Sequence, residues 1–217
     1  MTTYYIVTEP GVRLRAEPST NAPILVEALP HLGVVHRREG VVGEEADGYR
    51  WAPVRYGGLD GWSAVLYLEP VGVGLAEDAD YLFPAEAILF HLRRACELTG
   101  ADYPVCAAII QQESGWRNWR VHHDGTGHGL IGLDDNGLLP DFEAWAGVGV
   151  GRGAQAWVIP PGIQLWYLAR TIATFTAQYG SAYNAARVWH RGPGLWRDAL
   201  GDHYEALIRG HVAALFG

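Results

Sequence analysis

With 217 residues, 49% of them apolar, the chain has material for one large hydrophobic core or two modest ones, which excludes a disordered protein. All 16 basic residues are Arg, and against 24 acids they leave a formal charge of −8, so a nucleic-acid partner is not expected. No stretch reaches the ~20 consecutive apolar residues that span a bilayer, and MTTYYIVTEP lacks a basic region followed by an apolar run; neither a membrane partner nor a signal peptide is expected.

Residues 1–71 carry strand signals. Val12, Leu14 and Ala16 alternate with Arg13 and Arg15, and apolar runs are broken by Pro18, Pro23, Pro30, Gly57-Gly58 and Asp60-Gly61, which predicts a small β-barrel. Tyr49, Trp51 and Trp62 either line a groove on it or fill its core. Residues 72–80 mix Gly with acids without a sustained period and read as a linker. From Pro84 the period becomes helical. Ile88, Leu92 and Cys96 share one stripe that Gly100 ends, and a second helix runs from Pro104 to the break at Gly115. Cys96 and Cys106 both fall in these helices and read as buried small hydrophobes rather than a disulfide.

Residues 115–160 are rich in Gly and Trp, where a binding cleft is expected. Leu165, Leu168, Ile172, Phe175 and Tyr179 then give the strongest helical period of the chain, stopped by Gly180. The last helix is expected to open on Asp202 with Glu205 as a capping box and to bury Leu207, Ile208, Val212 and Leu215. The fold class is α+β in two domains, residues 1–71 and 81–217.

Glu113 sits at the end of a helix whose preceding turns, Ala107, Ala108, Ile109 and Ile110, are apolar. Partial desolvation moves a carboxyl pKa up toward neutrality, which suits a proton donor; the plainer alternative is a solvated helix-end acid. Asp124 and Asp134 flank a loop holding Gly125, Gly127, Gly129 and Gly132, and offer either a second reacting carboxylate or structural turn residues. His122, His123 and His128 lie near Asp124 without any usual ligand spacing, so no metal and no other cofactor is expected. Trp116, Trp119, Trp145 and Trp157 flank the same region and serve either sugar stacking or packing.

Three stretches of the first half, GVRLRAEPSTNAPI at 11–24, GYRWAPVRY at 48–56 and GWSAVLYLEP at 61–70, resemble the bacterial SH3-like domains that anchor cell-wall enzymes. The resemblance implies targeting to wall peptide or glycan. In the second half AAIIQQESGW at 107–116, DGTGHGLIGLD at 124–134 and VWHRGPG at 188–194 occur in the order found in soluble lytic transglycosylases and goose-type lysozymes. That resemblance implies a lysozyme-like, mainly helical domain that cuts the β-1,4 bond between N-acetylmuramic acid and N-acetylglucosamine in bacterial peptidoglycan. Glu113 is its general acid, with Asp124 and Asp134 as the second carboxylates of the hydrolytic members. The implied substrate contacts are Ser114, Gly129, Leu130, Ile131, Trp189 and His190, with Tyr183 as a further candidate.

Two positions depart from the pattern. Gly132 stands where a Gln is expected, and Trp189-His190 where a Tyr-Asn pair is expected, although a literal AYNA occurs at 182–185. The two-part plan matches phage endolysins, made in the host cytoplasm and acting on the wall after release as a monomer; secretion by a non-classical route is the alternative. The net negative charge runs against a wall-active protein, whose target is itself anionic. Two further readings stand beside this one: a non-catalytic wall-binding or virion protein that retains the fold, and a chitinase-like hydrolase.

Overall fold

A computed structural model describes residues 4–71, 81–82, 85–119, 122, 125–147 and 161–217. The fold is α+β, with an antiparallel sheet and six helices among the described residues. Its contacts divide the chain into two compact units, residues 1–75 with 141–149, and residues 76–140 with 150–217.

The first unit is built on eight strands: β1 Tyr4–Val7, β2 Leu14–Arg15, β3 Ile24–Val26, β4 Val34–Arg37, β5 Glu44–Ala46, β6 Tyr49–Tyr56, β7 Leu59–Ala64 and β8 Leu68–Val71. They run in the order β3-β2-β7-β6-β4-β1-β8, with β5 paired to β6. The path ends on β3 and β8, and no pairing among the described residues closes it into the barrel expected from the sequence. Val12 and Leu14 turn inward and Arg13 outward, as the alternation predicts, but Ala16 is exposed and Arg15 half-buried; Val12 and Leu14 form the core of the unit with Val35, Val54 and Leu68. Gly57 and Gly58, both at positive φ, make the two-residue turn between β6 and β7 that a type I′ hairpin requires.

Asp60-Gly61 is not the break expected of it. Both lie inside β7, because a Cβ at Gly61 would come 2.6 Å from the Arg15 carbonyl oxygen. Glycine lets β2 and β7 approach. Residues 141–149 belong to this unit although the sequence assigns them to the second domain. Trp145 donates its indole N–H to the Leu32 carbonyl at 3.0 Å, and His36 Nε2 lies 3.0 Å from the Ala146 carbonyl oxygen. Those partners are more than a hundred residues away, out of reach of local pattern.

The second unit holds α1 Ala85–Thr99, α2 Tyr103–Ser114, α4 Pro161–Tyr179, α5 Ala182–Arg191 and α6 Ala199–Phe216; α3, Leu139–Ala146, begins in it. Short pairs join β9 Tyr81–Leu82 to β10 Arg117–Asn118 and β11 Gly127–His128 to β12 Leu133–Asp134. Asp102 caps α2 by accepting from the Val105 N–H at 3.0 Å, Pro104 follows it, and Gly115 ends the helix in the left-handed conformation. Leu165, Leu168 and Ile172 are buried as their spacing predicts, and α4 packs between α1 and α5. Cys96 and Cys106 are buried free thiols, and the hydrogen bond between them with burial pushes the Cys106 thiol well up.

The last helix starts earlier than its sequence suggests. Asp198, not Asp202, is the N-cap, accepting from the Gly201 N–H at 2.7 Å. Asp202 and Glu205 pair with Arg187 instead, an ion pair fifteen and eighteen residues long in sequence that competes with local capping. Ile208 is buried, Leu207 and Val212 are half-buried, and Leu215 is exposed.

Candidate active site

Helices α2 and α6 pack side by side, which places the C-terminal turn of α2 against the first turns of α6. Glu113 ends α2 there, half-buried, and its Oε1 accepts a hydrogen bond of 2.5 Å from the Tyr204 hydroxyl. Tyr204 is buried, and desolvation together with the Glu113 carboxylate pushes its phenol well above the usual range. The phenol therefore keeps its proton at neutral pH and donates it to the Glu113 carboxylate. The His190 imidazole lies flat on the Tyr204 ring, with centroids 4.3 Å apart and planes 4° from parallel.

A cavity of about 620 Å³ opens over these groups. Glu113, Asp134, Trp189 and His190 line it, with Phe175 and Pro193 on its apolar side. Asp134 closes β12, and its Oδ1 accepts from the Asn136 N–H at 2.8 Å, so the carboxylate is oriented by its own turn. The loop opposite Glu113 crosses it at Gly132, φ +67°, where a Cβ would stand 2.6 Å from Glu113 Oε2 and 3.2 Å from Glu113 Cβ. Glycine is demanded here twice, by the left-handed backbone and by the carboxylate under it.

The Gly-rich loop is braced from beneath by Gln164, a fully buried residue of α4. Its Oε1 accepts from the Leu130 N–H at 2.7 Å and its Nε2 donates to Asn118 Oδ1 at 3.0 Å, while a Cβ at Gly129 would collide with that same Oε1. Gln164→Ala strips two buried polar groups of their partner; an unsatisfied group costs ~1–3 kcal/mol, so a loss of about 3 kcal/mol is expected in urea unfolding.

The residues singled out in the sequence separate into two sets. Glu113, Asp134, Trp189 and His190 share the cavity. Ser114 is buried and donates to the Ile110 carbonyl at 3.1 Å, Leu130 and Ile131 are fully buried, and the Gly129 N–H bonds the Trp119 carbonyl at 2.8 Å; none of the four is among the cavity-lining residues. Tyr183 also stands outside the lining, under the Arg209 guanidinium at 3.7 Å, and Asn184 donates to the Tyr179 carbonyl. The positional equivalence of Trp189-His190 thus places a pair in the cavity where the literal AYNA does not. Asp124, His123 and Trp157 lie outside the described residues.

Trp116 and Trp119 turn back onto α2, the first to Gln111 Oε1 at 2.7 Å and the second to the Ser114 carbonyl at 2.9 Å. His122 Nε2 lies 2.8 Å from the Gly129 carbonyl oxygen, and His128 is buried against Asp135. No group of three potential metal ligands occurs among the described residues.

The sequence of this chain matches no family model and no curated protein. What the arrangement can do is therefore argued from its chemistry. A carboxyl group held by one oxygen on a buried phenol and flanked by a cavity that also holds a second carboxylate can move a proton to and from a bound ligand. Two of its members were not visible in the sequence. Tyr204 comes from a helix ninety-one residues downstream of Glu113, and Gln164 from the first turn of α4; no local pattern marks either.

His190 carries a pH signature. Partial desolvation first, then the Arg191 guanidinium, with His203 acting the same way and Asp198 opposing, lowers its pKa below the ordinary value of 6.5. The folded state thus favours the neutral ring, and the stability this gives is present above about pH 6.5 and lost as pH falls through the lowered pKa. His190→Asn is expected to flatten the decline of Tm between pH 7 and pH 5; an unchanged slope would show that the ring does not titrate with folding.

Proposed function

We propose that this protein cleaves the glycan strands of bacterial peptidoglycan at the β-1,4 bond between N-acetylmuramic acid and N-acetylglucosamine, with Glu113 as general acid and base. The observation that carries the reading is the carboxylate of Glu113, clamped by the Tyr204 hydroxyl at 2.5 Å on the wall of a cavity that also contains Asp134. The three ordered sequence blocks of the transglycosylase and goose-lysozyme pattern support it, and Glu113, Asp134, Trp189 and His190, which line the cavity, all fall within those blocks.

Because Oε1 accepts from Tyr204, the transferable proton resides on Oε2, on the side of Gly132. It passes to the glycosidic oxygen as the C1–O bond breaks, so the leaving sugar departs as an alcohol rather than an alkoxide. The electron-poor C1 is then attacked by water or by the substrate's own 6-hydroxyl, and the proton of that nucleophile returns to Glu113. Asp134 in the same cavity supports the hydrolytic branch, as the second carboxylate that holds water or stabilises the cationic sugar. A neutral His190 offers one ring N–H and one acceptor nitrogen to a sugar amide.

In this proposal the first unit is an SH3-like module that holds the enzyme at the wall, and the whole acts as an endolysin, reaching the wall after release from the cytoplasm. No helix of the described residues is long and apolar enough to cross a membrane. The test is clearing of purified peptidoglycan by the wild type and by Glu113→Gln. Loss of clearing in the variant is expected; equal clearing by both overturns the reading.

A further inference from the structure

The first unit has a cavity of its own, about 250 Å³, between the β2 region and the β6–β7 hairpin. Tyr49, Trp51 and Tyr67 form its aromatic wall, and Arg13, Arg15 and Ser63 also line it. Trp51 is fixed by its indole N–H on the Ala46 carbonyl at 3.0 Å, with the Tyr49 ring edge-on at 6.1 Å. Arg15 is anchored through Nη1 to the Ala22 carbonyl at 2.9 Å, which holds the planar fork in place while its remaining N–H groups make no protein hydrogen bond among the described residues. Arg13 pairs with Glu27 across 3.5 Å, with its own side chain about half exposed and that of Glu27 largely so; such a pair is worth little and yields readily. The Ser63 hydroxyl is fully buried and has no partner among the described residues, a cost that native structures normally avoid.

Asp47 accepts from the Ser19 hydroxyl and from the N–H of Thr20, which also lines the cavity, both at 2.7 Å, and these bonds lower its pKa.

We infer that this cavity is a binding site for the free carboxylate end of a short peptide with small side chains. A preorganised guanidinium matches a carboxylate in shape and charge, two donors to two oxygens, and Arg13 adds a second cation. The small volume admits one or two small residues, whose apolar atoms lie on the Tyr49, Trp51 and Tyr67 wall, and Ser63 supplies the hydroxyl for a peptide group. This rests on the reading of the first unit as a wall-targeting module and specifies its ligand as peptide rather than glycan.

Titration calorimetry of the full chain with N-acetyl-alanyl-alanine, in its D,D and L,L forms, and with the corresponding C-terminal amide tests the site. Saturable binding of the acid in at least one form is expected, with the amide weaker by about tenfold or more, the loss of one charge-assisted bidentate contact. Arg15→Leu and Ser63→Ala are each expected to weaken the acid, and Arg55→Leu, whose guanidinium pairs with Asp60, to leave it unchanged. Circular dichroism of each variant separates loss of the site from loss of the fold. Equal affinity for acid and amide, no change in a folded Arg15→Leu, no saturable binding of the acid, or equal displacement by N-acetylglucosamine oligomers or inorganic phosphate each overturns the proposal. Glu113-dependent clearing is read separately, so this site and the catalytic reading can fail independently.

Discussion

Glu113→Gln is expected to lower the rate of peptidoglycan clearing by about 10³-fold while leaving the fold intact, the size of effect seen when a positioned general acid is removed. The amide is nearly isosteric with the carboxylate, and its oxygen still accepts from the Tyr204 hydroxyl, so the 2.5 Å contact that ties α2 to α6 persists in weakened form. What disappears is the proton that leaves with the departing sugar. Tyr204→Phe probes the same contact from the other side. It removes the donor from Oε1 without changing packing volume, so an upward shift of the alkaline limb of the pH–rate profile, where a general acid loses its proton, is expected beyond any uniform loss of rate. Tyr204→Phe with an unshifted profile would mean that the phenol only packs.

Gly132→Ala has the second largest expected effect. Its φ of +67° costs a non-glycine residue roughly 1–2 kcal/mol, and the new Cβ would stand 2.6 Å from Glu113 Oε2. Either the loop or the carboxylate must move by a substantial fraction of an ångström. A misplacement of that order at a reacting group costs about 10²-fold in rate, so clearing is expected to fall by that factor with a stability loss of only about 1–2 kcal/mol. Gly132→Gln, which introduces the Gln of the pattern the sequence resembles, is expected to be no better, since every such side chain begins with the same Cβ. Urea unfolding and clearing rates at one temperature, measured together, separate the two contributions. Full activity in Gly132→Ala would show that the approach of the loop to Glu113 is not functional.

The same glycine shows how far the sequence could be read. Its departure from the Gln of the resembled pattern is legible in the sequence, as is the glycine-rich loop around it, but the reason is a carboxylate nineteen residues away that only the packing of loop on helix supplies. Features set by neighbours in the chain were legible. The stripe Leu165, Leu168, Ile172 is buried, the break at Gly115 ends α2, and Gly57-Gly58 turns β6 into β7. Features set by distant partners were not. Asp202 and Glu205 have the spacing of a capping box, yet Arg187 takes both and Asp198 caps the helix. Gly61 reads as a turn and is a strand residue, because β2 must pass close to it. Ser114 and Leu130 fall within the resembled motifs, but their hydrogen bonds go to Ile110 and Gln164, and neither lines the cavity.

The central claim is that Glu113 acts on the glycan bond itself, and mass spectrometry of the fragments released from peptidoglycan tests it most directly. Wild-type digests are predicted to contain new ends on N-acetylmuramic acid, reducing if water completes the reaction and 1,6-anhydro if the sugar's own hydroxyl does, and Glu113→Gln digests are predicted to lack them. Fragments with intact glycan strands, or the same new ends from both proteins, would contradict it.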